Sequence, residues 1–261
     1  ASNLRGILKD YEKRWGDESS LSSSSASLTK EEMDKIMSLG YVALGSTKVK
    51  EISGKFPRDM IHLVPQLRIG MDTMEDKNYG IGIEIMDSVL KEDPENKTAL
   101  YYRGMGLFRL GKLDEATKDL IKLLELYPDN GYAYRGLADI HAFKKDWQAL
   151  VDLLSMALGY FPKDEDFHYK IAIAFLQLGH ADKALNHVRL IQDFSSHFYH
   201  AYLLASKCYL LMGREKEAIE EIRKVYQLGF RNFTLIQKDP VFLKIRNSSE
   251  LTSIFNENSQ P

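Results

Sequence analysis

The sequence predicts an all-α fold, a solenoid of stacked helix pairs, on three observations. Pro94, Pro128 and Pro162 lie 34 residues apart. Gly111, Gly179 and Gly213 keep the same register, one interval being doubled. Between these marks apolar residues fall at helical spacing twice per interval. A repeat of that length with two helices builds a one-dimensional stack, because each pair hides its apolar flank against the next.

Alignment on these marks gives five ungapped repeats: 63–96, 97–130, 131–164, 165–198 and 199–232. Their eighth residues are all small: Gly70, Gly104, Ala138, Ala172 and Ser206. Their twentieth residues are Gly82, Ala116, Leu150, Ala184 and Ala218, small in four of five. Helices that cross within about 8–10 Å need small side chains where their backbones come nearest. The twenty-seventh residues, Val89, Leu123, Ala157, Ile191 and Val225, form an apolar stripe for the neighbouring repeat. Leu110-Gly111-Lys112, Leu178-Gly179-His180 and Met212-Gly213-Arg214 supply the stop between the two helices.

These residues are identified as tetratricopeptide repeats. The stretch Leu100-Tyr-Tyr-Arg-Gly104, Leu107, Gly111-Lys-Leu-Asp-Glu-Ala116, Leu120, Leu123 and Pro128 resembles the family most fully. The resemblance covers 63–232 and implies a right-handed superhelix, the first helix of each repeat lining a concave groove. Departures are Arg103, where an apolar residue is usual, Leu150 at a small position, and Ser196 and Phe230 in place of proline.

The flanks differ. Leu4, Ile7, Leu8, Tyr11 and Trp15 predict a helical segment within 1–18, and the Ser-rich run 19–27 predicts a flexible linker. Residues 28–62 predict a short helix and a connector, the helix opened by the capping-box pair Thr29 and Glu32. Residues 233–261, with Ile236, Phe242, Leu243, Ile245, Leu251 and Phe255, predict a helical cap and tail over the last repeat. The chain starts at Ala1 without an initiator Met, which reads as a piece of a longer protein. Glu31-Glu32-Met33-Asp34-Lys35-Ile36-Met37-Ser38-Leu39-Gly40-Tyr41-Val42 is similar to the segment that closes the sulfatase-like domain of many bacterial sulfatases. That second resemblance implies the C-terminal accessory region of a sulfatase-like hydrolase whose catalytic domain lies upstream.

Composition excludes several function classes. Apolar residues make up 44% and charged residues 28% of 261, ordinary for a globular chain. A net charge of −2 gives no global pull on nucleic acid, which demands clustered cations. One cysteine, Cys208, excludes an internal disulfide and a Cys-rich zinc site. It does not choose between the cytoplasm and a bacterial periplasm. No stretch approaches the roughly 18–20 apolar residues of a membrane span.

Cys208 is not followed by the Pro and Arg that the sulfatase nucleophile requires, and no serine is either. No catalytic, cofactor-binding or metal-ligating set stands out, so the expectation is a chain that is not itself an enzyme and needs no cofactor. The remaining candidate is a surface for a protein or peptide, the chain's own N-terminal segment or an upstream domain. Family analogy places Leu67, Met71, Met74, Tyr101, Met105, Phe108, Tyr132, Arg135, Asp139, Tyr169, Ile173 and Lys207 along the groove. The expected character is largely apolar, since Met and aromatic side chains suit adaptable contacts. The ninth positions carry no Asn, unlike the family members that clamp a chaperone's C-terminal carboxylate.

Overall fold

The computed structural model describes residues 57–230, 236 and 238–256. The helix expected within 1–18, the linker 19–27, most of the connector and the sulfatase-like stretch Glu31–Val42 lie outside the described residues. The chain divides into two compact units, 1–112 and 113–261.

The first unit holds a 3-10 turn (Pro57–Leu63), α1 (Val64–Glu75), α2 (Tyr79–Glu92) and α3 (Lys97–Arg109). In it α1 packs on α2 and α2 on α3, and α1 also touches α3. The second holds α4 (Leu113–Leu126), α5 (Gly131–Lys144), α6 (Trp147–Ala157), α7 (Glu165–Gln177), α8 (Ala181–Phe194), α9 (Tyr199–Leu211) and α10 (Glu215–Gln227), then a 3-10 turn (Pro240–Lys244) and α11 (Ser249–Asn256). Here each helix from α4 to α10 packs on its successor, and α7 reaches α9. The described residues contain no strand. The fold is all-α, and within each unit the helices pack as successive neighbours.

The repeat fixes where helices begin and end. Asn96, Asn130 and Asp164 close their repeats at the same position. Each side chain accepts a hydrogen bond at 3.0 Å from the backbone N–H three residues on, at Ala99, Ala133 and Phe167. Such a cap satisfies one of the donors a helix start leaves unpaired. Fifteen places into each repeat the backbone turns left-handed: Lys77 (φ 64°), Gly111 (76°), Lys145 (59°), Gly179 (80°) and Gly213 (75°). Three repeats place glycine there, at no steric cost. Two force a lysine into a conformation that costs an L-residue about 1–2 kcal/mol. Lys145→Gly is therefore expected to raise the unfolding free energy by about 0.5–1 kcal/mol, net of the added chain entropy. Urea titration followed by circular dichroism reads it, and an unchanged or lower midpoint would contradict the assignment of strain.

Packing follows the small positions. All ten eighth and twentieth residues are buried. In the last repeat the two positions bond directly, Ser206 Oγ donating to the Ala218 carbonyl at 2.9 Å. Leu150, the large exception, is 2% exposed in a cluster with Tyr134, Ala138, Leu154 and Phe167. Further on, Phe242, Ile245, Leu251 and Ile254 join the cluster around Ala218, Ile219 and Ile222, so residues after α10 bury that helix's outer apolar face. Arg103, unusual at its position, is held by Asp87 at 2.6 Å.

Two of the buried polar side chains of the second unit are titratable groups of chemical interest, Cys208 and His168. Cys208 is fully buried, and burial pushes its thiol up to about 12, so no thiolate forms at neutral pH. His168, also buried, lies 3.1 Å from the Pro162 carbonyl through Nε2 and 2.9 Å from His187 Nδ1 through its own Nδ1. A carbonyl only accepts, so Nε2 of His168 carries the proton. Its Nδ1 is then the acceptor and His187 Nδ1–H the donor. Burial, and secondarily His168, lower the His187 pKa to about 4, so the His187 ring is neutral at pH 7.

Candidate interaction surface

The expected surface residues separate into two groups. Leu67 and Met74 are core, 4% and 8% exposed, and this corrects their expected place on the groove. With Gly70 they stand at i, i+3 and i+7 on α1, one helical stripe, and that stripe faces inward. A niche left by two glycines holds Met74. A Cβ added at Gly82 or Gly106 would lie 2.8 or 2.7 Å from its Cε. Met71, Tyr101, Met105 and Phe108 are half-buried in the first unit, with Tyr101 meeting Tyr102 edge to face at 5.3 Å.

The second unit brings more together. Tyr132 is exposed, while Arg135, Asp139, Tyr169, Ile173 and Lys207 are half-buried. Arg135, on α5, reaches Asp164 at 2.5 Å and Asp166 at 3.3 Å, both at the start of α7. Its other donor bonds the Gly131 carbonyl at 3.3 Å, and its guanidinium carbon stands 4.6 Å from the Phe167 ring centroid. Lys170, on α7, returns to Asp139 on α5 at 2.5 Å and lies 3.9 Å from Asp166. Lys207 pairs with Asp239, just ahead of the second 3-10 turn. The surface here is a lattice of ion pairs rather than the largely apolar groove expected.

The lattice obeys a register. Arg135 and Asp166 are 31 residues apart, as are Asp139 and Lys170. The fifth residue of one repeat thus meets the second of the next, and the ninth meets the sixth. Tyr169 and His200 continue the series, their rings 6.2 Å apart. Reading each repeat separately hides these pairs, which is why Lys170 is absent from the sequence-based expectation; Asp164 and Phe198 are absent because each is the last residue of its repeat, beside the start of the helix that follows. Opposite charges at an offset of 31 were the available signal.

A cleft of about 430 Å³ opens on this face. Arg135, Asp164 and Asp166 form part of its lining, with Lys163 and Glu165 beside them, and Tyr169 and Phe198 supply aromatic rings. Those two rings meet edge to face at 5.7 Å. Burial raises the Asp166 carboxyl above its ordinary range, against the pull of Lys170 and Arg135. Burial raises the Tyr169 phenol as well, aided by Tyr199. Among the described residues no three His, Cys, Asp or Glu side chains gather as metal ligands would, and no helix is long and apolar enough to cross a membrane.

Two stretches of the chain, residues 98–130 and 199–228, match family models of the tetratricopeptide repeat. The chain thus contains tetratricopeptide repeats. It is similar to the TPR repeat-containing protein YpiA of Bacillus subtilis (strain 168), at 22% identity over 208 residues, 76% of this chain and 48% of that protein. It is also similar to DnaJ homolog subfamily C member 7 of Homo sapiens, at 24% over 159 residues, 55% of this chain and 32% of that one. The tetratricopeptide-repeat chain thus spans about half or less of the length of the curated relatives it matches. Its fold is shared with a crystal structure of MamA, at TM-score 0.58 and 23% identity, covering 64% of this chain and 91% of that one. MamA from Desulfovibrio magneticus RS-1 gives TM-score 0.57 at 16% identity, over 62% and 92%.

Proposed function

We propose that this chain is a non-catalytic scaffold that binds a peptide or helix of a partner protein on the face presented by the first helices of its repeats. One observation carries the reading. In the second unit α5, α7 and the start of α9 pool side chains from successive repeats into one cleft of polar, charged and aromatic groups. Such a lining fixes an extended peptide by side-chain pockets and needs no reacting group. Both matched family models describe a repeat rather than a catalytic domain. In the first unit Met71, Tyr101, Met105 and Phe108 supply adaptable apolar contacts of the same kind.

Degenerate decapeptide pools carrying a fluorophore test the reading by anisotropy. A pool with a fixed central aromatic residue is expected to bind, and Tyr169→Glu with Ile173→Glu to weaken it at least about ten-fold, with the helical signal preserved. Loss of binding in neither variant, or no binding of any pool, would remove this face from the account. A synthetic peptide of residues 4–15 in the same assay tests the self-occupied alternative.

A second reading rests on the stretch Glu31–Val42: the chain as the C-terminal accessory region of a sulfatase-like hydrolase. The parent sequence upstream of Ala1 decides it. A Cys or Ser followed by Pro and Arg at the second and fourth places would support it, and a different upstream domain would end it.

A further inference from the structure

We infer that the cleft of the second unit receives a basic side chain, arginine or lysine, from the partner peptide. The inference rests on the scaffold reading and adds the chemistry of the partner.

Charge decides the sign. Two cations, Arg135 and Lys170, serve three carboxylates, Asp139, Asp164 and Asp166. At the rim Lys163 and Glu165 cancel. One negative charge is left over, in a place where burial already disfavours an ionised Asp166. A cation entering the cleft relieves that cost, because opposite charges attract more strongly where water is partly excluded. An incoming carboxylate meets the reverse situation. The donors of Arg135 are already committed to Asp164, Asp166 and the Gly131 carbonyl. A second anion would face Asp164, Glu165 and Asp166 together.

Shape and ring chemistry agree with the sign. The site already holds one guanidinium, that of Arg135, between two carboxylates and beside the Phe167 ring. Tyr169 and Phe198 line the same cleft as Asp164, Glu165 and Asp166, their rings edge to face at 5.7 Å. A cation next to an aromatic face is attracted by the ring quadrupole. The cleft of about 430 Å³ has room for one extended side chain and the backbone that carries it.

Three decapeptide pools, alike except at the centre, separate the outcomes. One carries arginine, one citrulline, its neutral isostere, and one glutamate. The full chain is expected to bind the arginine pool at least about five-fold tighter than the citrulline pool and to bind the glutamate pool most weakly. The preference should shrink as salt is raised, since surface charges are screened. Glu165→Gln with Asp166→Asn should bring the arginine-to-citrulline ratio close to one. Tyr169→Leu, which leaves every ion pair of Arg135 in place, should lower the ratio without abolishing it. Circular dichroism confirms that each variant is folded. Equal binding of arginine and citrulline pools, or a ratio that survives the double substitution, would overturn the inference and leave the scaffold reading standing. Failure of all three pools and of the aromatic-centred pool would overturn both.

Discussion

Replacing Phe167 by alanine is expected to lower the unfolding free energy of the second unit by about 3–5 kcal/mol. The side chain is fully buried, and its ring packs edge to face against Phe161 at 5.9 Å and Tyr134 at 6.4 Å. Alanine leaves a cavity whose walls are large rings with little freedom to close on it. The effect reaches the surface as well, because Phe167 is the ring under the Arg135 guanidinium. Urea denaturation followed by circular dichroism measures the loss. A change below about 1 kcal/mol would mean that the ring is not the keystone of this cluster. Phe167→Leu, which refills most of the volume, should recover more than half.

Acid should weaken the protein through His187. The folded ring titrates near 4, against about 6.5 in an unfolded chain. Between those values the unfolded state binds the extra proton, so stability is full above about 6.5 and falls as the pH drops towards 4. Screened by the solvent that reaches the ring, the loss is on the order of 1–2 kcal/mol. His187→Gln does not titrate and keeps a donor that can reach Nδ1 of His168. Denaturation at pH 7.5 and pH 5.0 should therefore show a larger drop for the wild type than for His187→Gln. Equal drops would locate the acid sensitivity elsewhere.

The fold was legible in the sequence because it repeats. Small residues at the eighth and twentieth positions, and glycine at the fifteenth, mark where helices cross and stop, and such marks survive single substitutions. Lys77 and Lys145 show the limit: neighbouring geometry holds lysine in the turn that glycine takes elsewhere. The surface was less legible. Leu67 and Met74 were placed on it by analogy between repeats, yet α1 turns that stripe inward. A niche at Gly82 and Gly106 that holds Met74 draws residues from different helices, and no single helix pattern contains it. The charged lattice was missed for the same reason. Arg135 and Lys170 look like solvated surface charges within their own repeats, and each gains a partner across the boundary, Asp166 and Asp139. Their partners are set by the offset between repeats, which periodicity alone does not weigh.

Methyl NMR of the full chain with the arginine-centred pool tests the central claim most directly, namely that the partner lies on the first helices. The Ile173 methyl groups, on α7, should shift in proportion to occupancy, while Met156 and Leu190, exposed on α6 and α8, stay unmoved. Shifts confined to Met156 and Leu190, with Ile173 silent, would place the partner on the opposite helices and contradict the account.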